Sequence, residues 1–175
     1  MAQNMSTPPP ASNKDEIFEA MEKLLRDSQV VRSGHFIAAQ RQDRKLKTFT
    51  IIIVVLNVLI ASGLVETAIP DQRIITITIK LLSFLAAAFA SVLGVFNFKK
   101  TVECHTKSGS VYSSINHRLR LVMAEYEENP QNRPDLINNF KALSDEYLKA
   151  NDDATECIPS DSDYDKARAV IKAKE

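Results

Sequence analysis

The residues of this sequence that could bind a metal or perform acid–base or nucleophilic chemistry are few and scattered. The histidines are His35, His105 and His117, and the cysteines are Cys104 and Cys157. A metal site built from Cys104, His105 and His117 is unfavourable, because two residues twelve positions apart on a helix diverge by about 120°. The cysteines form neither a CxxC pair nor a Cys/His quartet. The sequence therefore predicts reduced thiols, with no disulfide framework and no structural zinc site.

Catalytic motifs are missing from the chain as well. It contains no GxSxG, P-loop, GxGxxG or HExxH sequence, and only 4 glycines are present to build phosphate-binding loops. The 22 basic and 22 acidic residues balance, so the net charge does not favour a nucleic-acid partner. We interpret the chain as a protein that is not an enzyme and needs no cofactor or metal.

Two long apolar runs dominate the sequence. Phe49–Val65 has 17 residues without a formal charge and Leu81–Phe98 has 18. As helices they would extend about 26 and 27 Å, against roughly 30 Å for the hydrocarbon core of a bilayer. A pair of core helices in a soluble protein is the alternative, but two such runs are many for a small core. The sequence predicts transmembrane helices at 48–66 and 74–98, joined by an outer turn at 67–73.

The basic residues predict the orientation of this hairpin. Five precede the first run within 20 residues and four follow the second within 20, whereas the connection holds only Arg73 and Lys80. By the positive-inside rule both termini face the cytoplasm, which makes the chain an integral, multi-pass membrane protein whose first partner is the lipid bilayer.

Four further segments complete the predicted organisation. Residues 1–13, with three consecutive prolines, are expected to be a disordered tail, and 14–47 a cytosolic segment with an amphipathic helix. That helix could lie on the membrane, but its mixed charges favour packing against the protein's own helices. Residues 99–150 are expected to form a cytosolic helical hairpin, its first helix continuing unbroken from the second span to Glu128. Residues 151–175 would be an acidic, irregular segment and a short helix.

The predicted fold class is an all-α membrane protein built on a two-transmembrane helical hairpin.

One face of the second span carries small and polar side chains. Small residues allow helices to approach closely, and polar ones prefer a partner or water to hydrocarbon. The face could therefore pack against Asn57 and Ala61 of the first span, or it could line a lumen in an oligomer. A neighbouring face of large apolar residues, from Ile75 to Phe96, is expected to contact lipid. The small-polar face consists of Thr76, Lys80, Ser83, Ala87, Ala90, Gly94 and Asn97.

Lys80 is the only charge on the small-polar face. Near the outer edge of the membrane its long side chain could reach the headgroups and serve as an interfacial anchor. In an oligomer the same ammonium groups could instead form a ring at the outer mouth of a pore and favour anions.

Several residues outside the spans resemble the SLATT family of two-transmembrane effector proteins. The stretch HFIAAQRQDRKLKTFTIIIVVLNVLIAS, which begins at His35, leads through a basic patch into the first span. The exit from the second span carries an E-x-H and a Y-x-x-I-x-x-x-L arrangement, and the tail EYLKANDDATECIPSDSDY is similar to the closing pattern of the family. Thr155, where a proline is common, and the SGS sequence at Ser108–Ser110 depart from it. The matching residues after the second span are Glu103, His105, Tyr112, Ile115 and Leu119.

The resemblance implies a pore-forming or membrane-perturbing effector of a cellular conflict response, acting with an upstream protein that produces or senses a signal. Two helices cannot enclose water, so conduction would require a homo-oligomer. The alternative is a membrane-anchored adaptor whose cytosolic helices bind a partner without conduction. A membrane enzyme is the least favoured class.

Overall fold

The computed structural model describes residues 13–69 and 71–173, and every regular element in these ranges is helical, which confirms the all-helical prediction. The predicted disordered tail lies outside the described residues, except that Asn13 is the first residue of a helix. The α-helices are α1 (Asn13–Ala61), α2 (Leu64–Ala68), α3 (Gln72–Phe96), α4 (Phe98–Glu128), α5 (Arg133–Asp153) and α6 (Asp161–Lys172), with short 3-10 turns at Pro130–Asn132 and Ala154–Cys157.

Helix α1 joins the amphipathic segment and the first apolar run into one helix of 49 residues. It ends at Ala61, four residues before the apolar run ends at Val65, because Gly63 adopts the left-handed backbone conformation (φ 66°) that stops a helix. The apolar part of α1, Phe49–Ala61, is therefore only about 20 Å long. The sequence-based expectation of a longer helix through Val65 is wrong.

Helix α3 begins at a cap and ends at a break. The carboxylate of Asp71 accepts a hydrogen bond of 2.8 Å from the backbone N–H of Arg73. At the other end Asn97 has φ 32°, in the left-handed region, and its side chain accepts a bond from the N–H of Lys100 at 3.3 Å. The helical stretch continues to Glu128 as expected, but it is interrupted at Asn97, because an asparagine can close one helix and cap the next.

One helical stretch among the described residues, Gln72–Glu128, is long and apolar enough to cross a membrane, and only 6% of its most apolar part is buried. This is the part supplied by α3. The two-span topology remains a prediction, because the apolar end of α1 is too short to meet the same condition. We refer to α2, α3 and residues 49–61 of α1 as the apolar arm.

The first part of α1 packs with α4, α5 and α6 into what we call the helical bundle. Its largest buried cluster contains Met21 of α1, Leu119 and Tyr126 of α4, and Leu136 and Leu143 of α5. Because Tyr126 lies under Arg133 at the start of α5 while Arg118 pairs with Glu146 further along it, α4 and α5 are antiparallel. Burying these side chains is the main stabilising contribution to the bundle.

The end of the chain folds back onto α1. Helix α5 runs to Asp153, so the first residues of the expected irregular segment are helical. Helix α6 starts with a capping box in which Ser160 and Asp163 each bond the backbone of the other. Gly34 makes room for it: a Cβ there would lie 3.0 Å from the ring of Tyr164. The C-terminal helix is thus held directly against the N-terminal one.

Candidate functional site

The small-polar face of α3 does not pack against the other residues that the structure describes. All seven of its residues are exposed, and a Cβ added to Gly94 would meet no atom within 4 Å. The face that packs on α1 is the one expected to contact lipid, with Ile75 and Ala86 buried. Phe89 also contacts α1, through the ring of Phe49. The prediction that the bulky face contacts lipid is wrong, because α1 covers it instead.

Asn57 lies outside the α1–α3 contact as well. Its side chain is exposed, as is that of Ala61, so neither residue packs on the small-polar face in this chain. Lys80 is also exposed. A third face of α3, centred on Ile77, Phe84 and Val95, carries large apolar side chains that are 66, 70 and 79% exposed. Helix α3 therefore presents two exposed faces of different chemistry beside its packed one.

A second candidate site lies inside the helical bundle, where α1 meets α4. His35 and His105 are 1 and 2% exposed, and their Nδ1 atoms are 3.3 Å apart. One of these nitrogens must donate and the other accept, so the two rings hold different tautomers. The ring of Tyr112 stacks on His35 with a centroid distance of 5.5 Å, and its hydroxyl donates to Asn151 at 2.7 Å. This pair of buried imidazoles is the centre of the site.

The cysteines complete this site, contrary to the sequence-based prediction. Cys104 and Cys157 form a disulfide although 53 residues separate them. The turn at Ala154–Cys157 packs against α4 and brings the two Cα atoms to 6.2 Å. The expectation of two separate thiols without a Cys/His cluster is wrong, because it used spacing along the chain alone. One ring nitrogen of each of the two histidines and the Sγ of Cys157 all lie within 4.8 Å of one another.

Burial determines the protonation of the two histidines. Burial first, and then the neighbouring His105, lower the pKa of His35 from its usual 6.5 to about 4. Burial also lowers the pKa of His105, with Asp163 acting in the opposite direction and Arg41 in the same one. Burial raises the pKa of the Tyr112 hydroxyl, which therefore stays neutral. Both imidazoles are uncharged at neutral pH, which leaves each with one nitrogen lone pair.

A buried carboxylate lies beside this cluster. Asp163 is completely buried, and its Oδ2 pairs with Arg41 at 2.8 Å and accepts bonds from the hydroxyl and N–H of Ser160. Its Oδ1 has no hydrogen-bond partner among the residues that the structure describes. Because Asp163 raises the pKa of His105, its charge acts on that ring. We call His35, His105, Tyr112, Asp163 and Cys157, together with the half-buried Cys104, the buried polar cluster.

The residues that match the resemblance divide between two environments. His35, His105, Tyr112, Ile115 and Leu119 are all buried in contacts of the helical bundle, whereas Glu103 is exposed and lies apart from them. His117, the remaining histidine, is exposed. Sequence reasoning did not find the roles of Cys157 and Asp163. Both lie in the C-terminal segment, and no local pattern in the sequence indicates that this segment folds back onto α1.

An open groove of about 630 Å³ adjoins the cluster through Arg41. It runs between α1 and α6 toward the apolar arm. Three further cations line it, Arg44, Lys45 and Lys166, together with apolar atoms of Phe49 and Val170. The groove gives the base of the apolar arm a positive surface.

Compared with known proteins, the chain matches no protein-family model, no curated protein and no solved structure. Its function has therefore to be argued from the two sites themselves.

Proposed function

We propose that this protein is a two-transmembrane effector that assembles, through the small-polar face of α3, into a homo-oligomeric pore or membrane-perturbing assembly in a cellular defence response. The observation that carries the proposal is the exposure of that face. A stripe of small and polar side chains that the chain leaves uncovered is suited to close contact with a second helix or with water, and poorly suited to lipid.

The other exposed face of α3 supports the same arrangement. Ile77, Phe84 and Val95 are suited to lipid, and they lie roughly a quarter turn from the small-polar face. Helix α3 can therefore contact α1, lipid and a second copy at the same time. The helical bundle stays outside the bilayer on the cytoplasmic side, where an upstream signalling protein acts on it and gates the assembly.

The apolar end of α1 accompanies α3 in this arrangement. Its 13 residues from Phe49 to Ala61 cover about two thirds of the hydrocarbon thickness. Helix α2 continues the apolar path beyond the turn at Gly63. Local thinning of the bilayer or tilt of α3 accommodates the difference in length at modest cost.

Two alanines of α3 give a matched test. Ala90 lies on the small-polar face and Ala88 lies toward the large apolar face, and both are exposed. Leucine at either position is accommodated in one chain, but at position 90 it prevents close approach of a second copy. We expect A90L to reduce dye release from liposomes by at least roughly tenfold, since tenfold corresponds to about 1.4 kcal/mol of assembly free energy. We expect A88L to behave as the wild type.

Three outcomes contradict the pore proposal. Liposomes that stay tight with the wild-type protein at high protein-to-lipid ratio would favour the adaptor alternative. An equal reduction of dye release in A90L and A88L would show that assembly does not depend on the small-polar face. Single-chain particles of the wild type in nanodiscs would exclude the homo-oligomer.

A further inference from the structure

We propose that the buried polar cluster is a zinc site of the Cys₂His₂ type in the reduced protein, and that the Cys104–Cys157 disulfide is its oxidised, metal-free form. The ligands are His35 from α1, Cys104 and His105 from α4, and Cys157 from the turn before α6. This inference does not depend on the proposed pore.

The donor set has the chemistry that zinc prefers. Structural zinc sites are closed, four-coordinate and made of thiolates and neutral imidazoles. His35, His105 and Cys157 are all buried, at 1, 2 and 5% exposure. Each imidazole is neutral and offers a lone pair, as a metal ligand must. Side chains of these types seldom meet in a protein interior without a structural or chemical role.

The spacing of the two histidines fits a tetrahedral ion. Zinc–nitrogen bonds of about 2.0–2.1 Å hold two nitrogens of a tetrahedron about 3.3–3.4 Å apart. The Nδ1 atoms of His35 and His105 are 3.3 Å apart already. The Sγ of Cys157 lies within 4.8 Å of a nitrogen of each ring, so it has to approach by at most about 1 Å to bind the same ion. The largest change is at the sulfurs, which separate from bonding distance to about 3.8 Å.

A carboxylate beside His105 is placed to support the site. Histidines that bind zinc commonly donate their other ring N–H to a carboxylate, which fixes the tautomer and makes the ring a better ligand. With the Nδ1 atoms directed at the ion, each ring presents Nε2–H outward. Among the described residues the buried Oδ1 of Asp163 has no partner, and the carboxylate acts on His105 electrostatically. The proposal gives this unsatisfied acceptor a role as a positioning group.

The exchange between the two forms balances with a thiol reductant. A dithiol transfers two electrons and two protons to the Cys104–Cys157 bond, which breaks to give two protein thiols, while the dithiol closes to its own cyclic disulfide. Binding of Zn²⁺ then displaces one proton from each thiol and forms two zinc–sulfur bonds. In the reverse direction the cyclic disulfide accepts two electrons from the two zinc-bound thiolates and takes up two protons from water to become the dithiol again, while the Cys104–Cys157 bond re-forms and the ion is released. In a reducing cytosol the site would hold zinc, where a lasting disulfide is unusual.

The test uses the full-length, untagged protein in detergent, with zinc as the probe. One sample is reduced with dithiol under anaerobic conditions and one is left oxidised; both are equilibrated with Zn²⁺, gel-filtered and measured for bound metal. We expect one zinc per chain in the reduced protein and none in the oxidised protein. In the reduced protein, Co²⁺ in place of zinc should give the visible bands of a tetrahedral site and thiolate-to-metal charge transfer.

The histidines supply a matched set of variants. H35Q and H105Q should bind zinc at least roughly tenfold more weakly, because the loss of a ligand exceeds the 10–100-fold effect of losing an outer partner. H117Q, which alters the exposed histidine, should bind as the wild type. Circular dichroism separates loss of the metal from loss of the fold. If a variant fails to fold, the zinc content of the oxidised and reduced wild-type protein still tests the proposal.

Specific results would overturn the proposal. A folded, reduced wild-type chain that retains no stoichiometric zinc would do so, as would a cobalt spectrum typical of octahedral coordination. Equal zinc loss in H117Q and H35Q would show that the metal binds elsewhere.

Discussion

The Nδ1 of His35 lies 3.3 Å from the Nδ1 of His105, across the contact between α1 and α4. The two histidines are 70 residues apart, and the whole apolar arm lies between them in the chain. The pair therefore joins the two helices that lead into the apolar arm.

Reduction of the disulfide should destabilise the metal-free protein. The bond closes a loop of 53 residues, for which the chain-entropy model gives a stabilisation of about 4 kcal/mol and typical values are about 2–4 kcal/mol. With a chelator present, dithiol should lower the free energy of unfolding of the wild type by about that amount. The measurement is denaturant unfolding followed by circular dichroism. The C104S/C157S variant is the control, and a drop of the same size in that variant would contradict the explanation.

The buried pair of Ser28 and Asn116 should contribute to the stability of the helical bundle. Ser28 is completely buried, and its hydroxyl lies 3.1 Å from both Oδ1 of Asn116 and the carbonyl oxygen of Leu25. S28A leaves the buried Asn116 oxygen without this donor, which costs about 1–3 kcal/mol. Thermal unfolding should show the loss. S114A, at an exposed serine, should change stability by less than about 0.5 kcal/mol, and equal effects would count against a role for the buried bond.

The ion pair of Asp163 and Arg41 should hold α6 against α1. D163N removes the charge that pairs with Arg41 at 2.8 Å and weakens the capping box of α6, so we expect a loss of about 1–3 kcal/mol. Hydrogen exchange of α6 should become faster. D165N makes the same change on the same helix at an exposed pair with Arg168, and it should cost less than about 1 kcal/mol. Unchanged exchange in D163N would exclude this role.

Lys80 should influence ion selectivity if it lies at the outer mouth of the proposed pore. Replacing a ring of ammonium groups with carboxylates reverses the sign of the local field, so K80E should shift the reversal potential toward cations without preventing assembly. The measurement is current through planar bilayers under a salt gradient, with K80R as the charge-conserving control. If the reversal potential is the same in K80E and the wild type, Lys80 does not line the pore and serves as an interfacial anchor.

Much of the helical framework could be predicted from sequence because its signals are local. The stripe at His105, Tyr112, Ile115, Leu119 and Tyr126 has helical spacing, and all five side chains are buried. The end of α4 at Glu128 follows from the asparagine and proline after it. The helix breaks at Gly63 and Asn97 were missed, because apolar periodicity continues through both positions while the backbone does not.

By itself the sequence determined the helical class, the apolar character of α3 and the difference between its small-polar face and its large apolar face, because each depends on residues a few positions apart. The tertiary structure alone decided which face α1 covers and which two faces stay exposed. It also decided that His35, His105, Cys104 and Cys157 meet, with Asp163 beside them. The two histidines are 70 positions apart and the two cysteines 53, and chain spacing carries no information about distances that only the packing of helices sets.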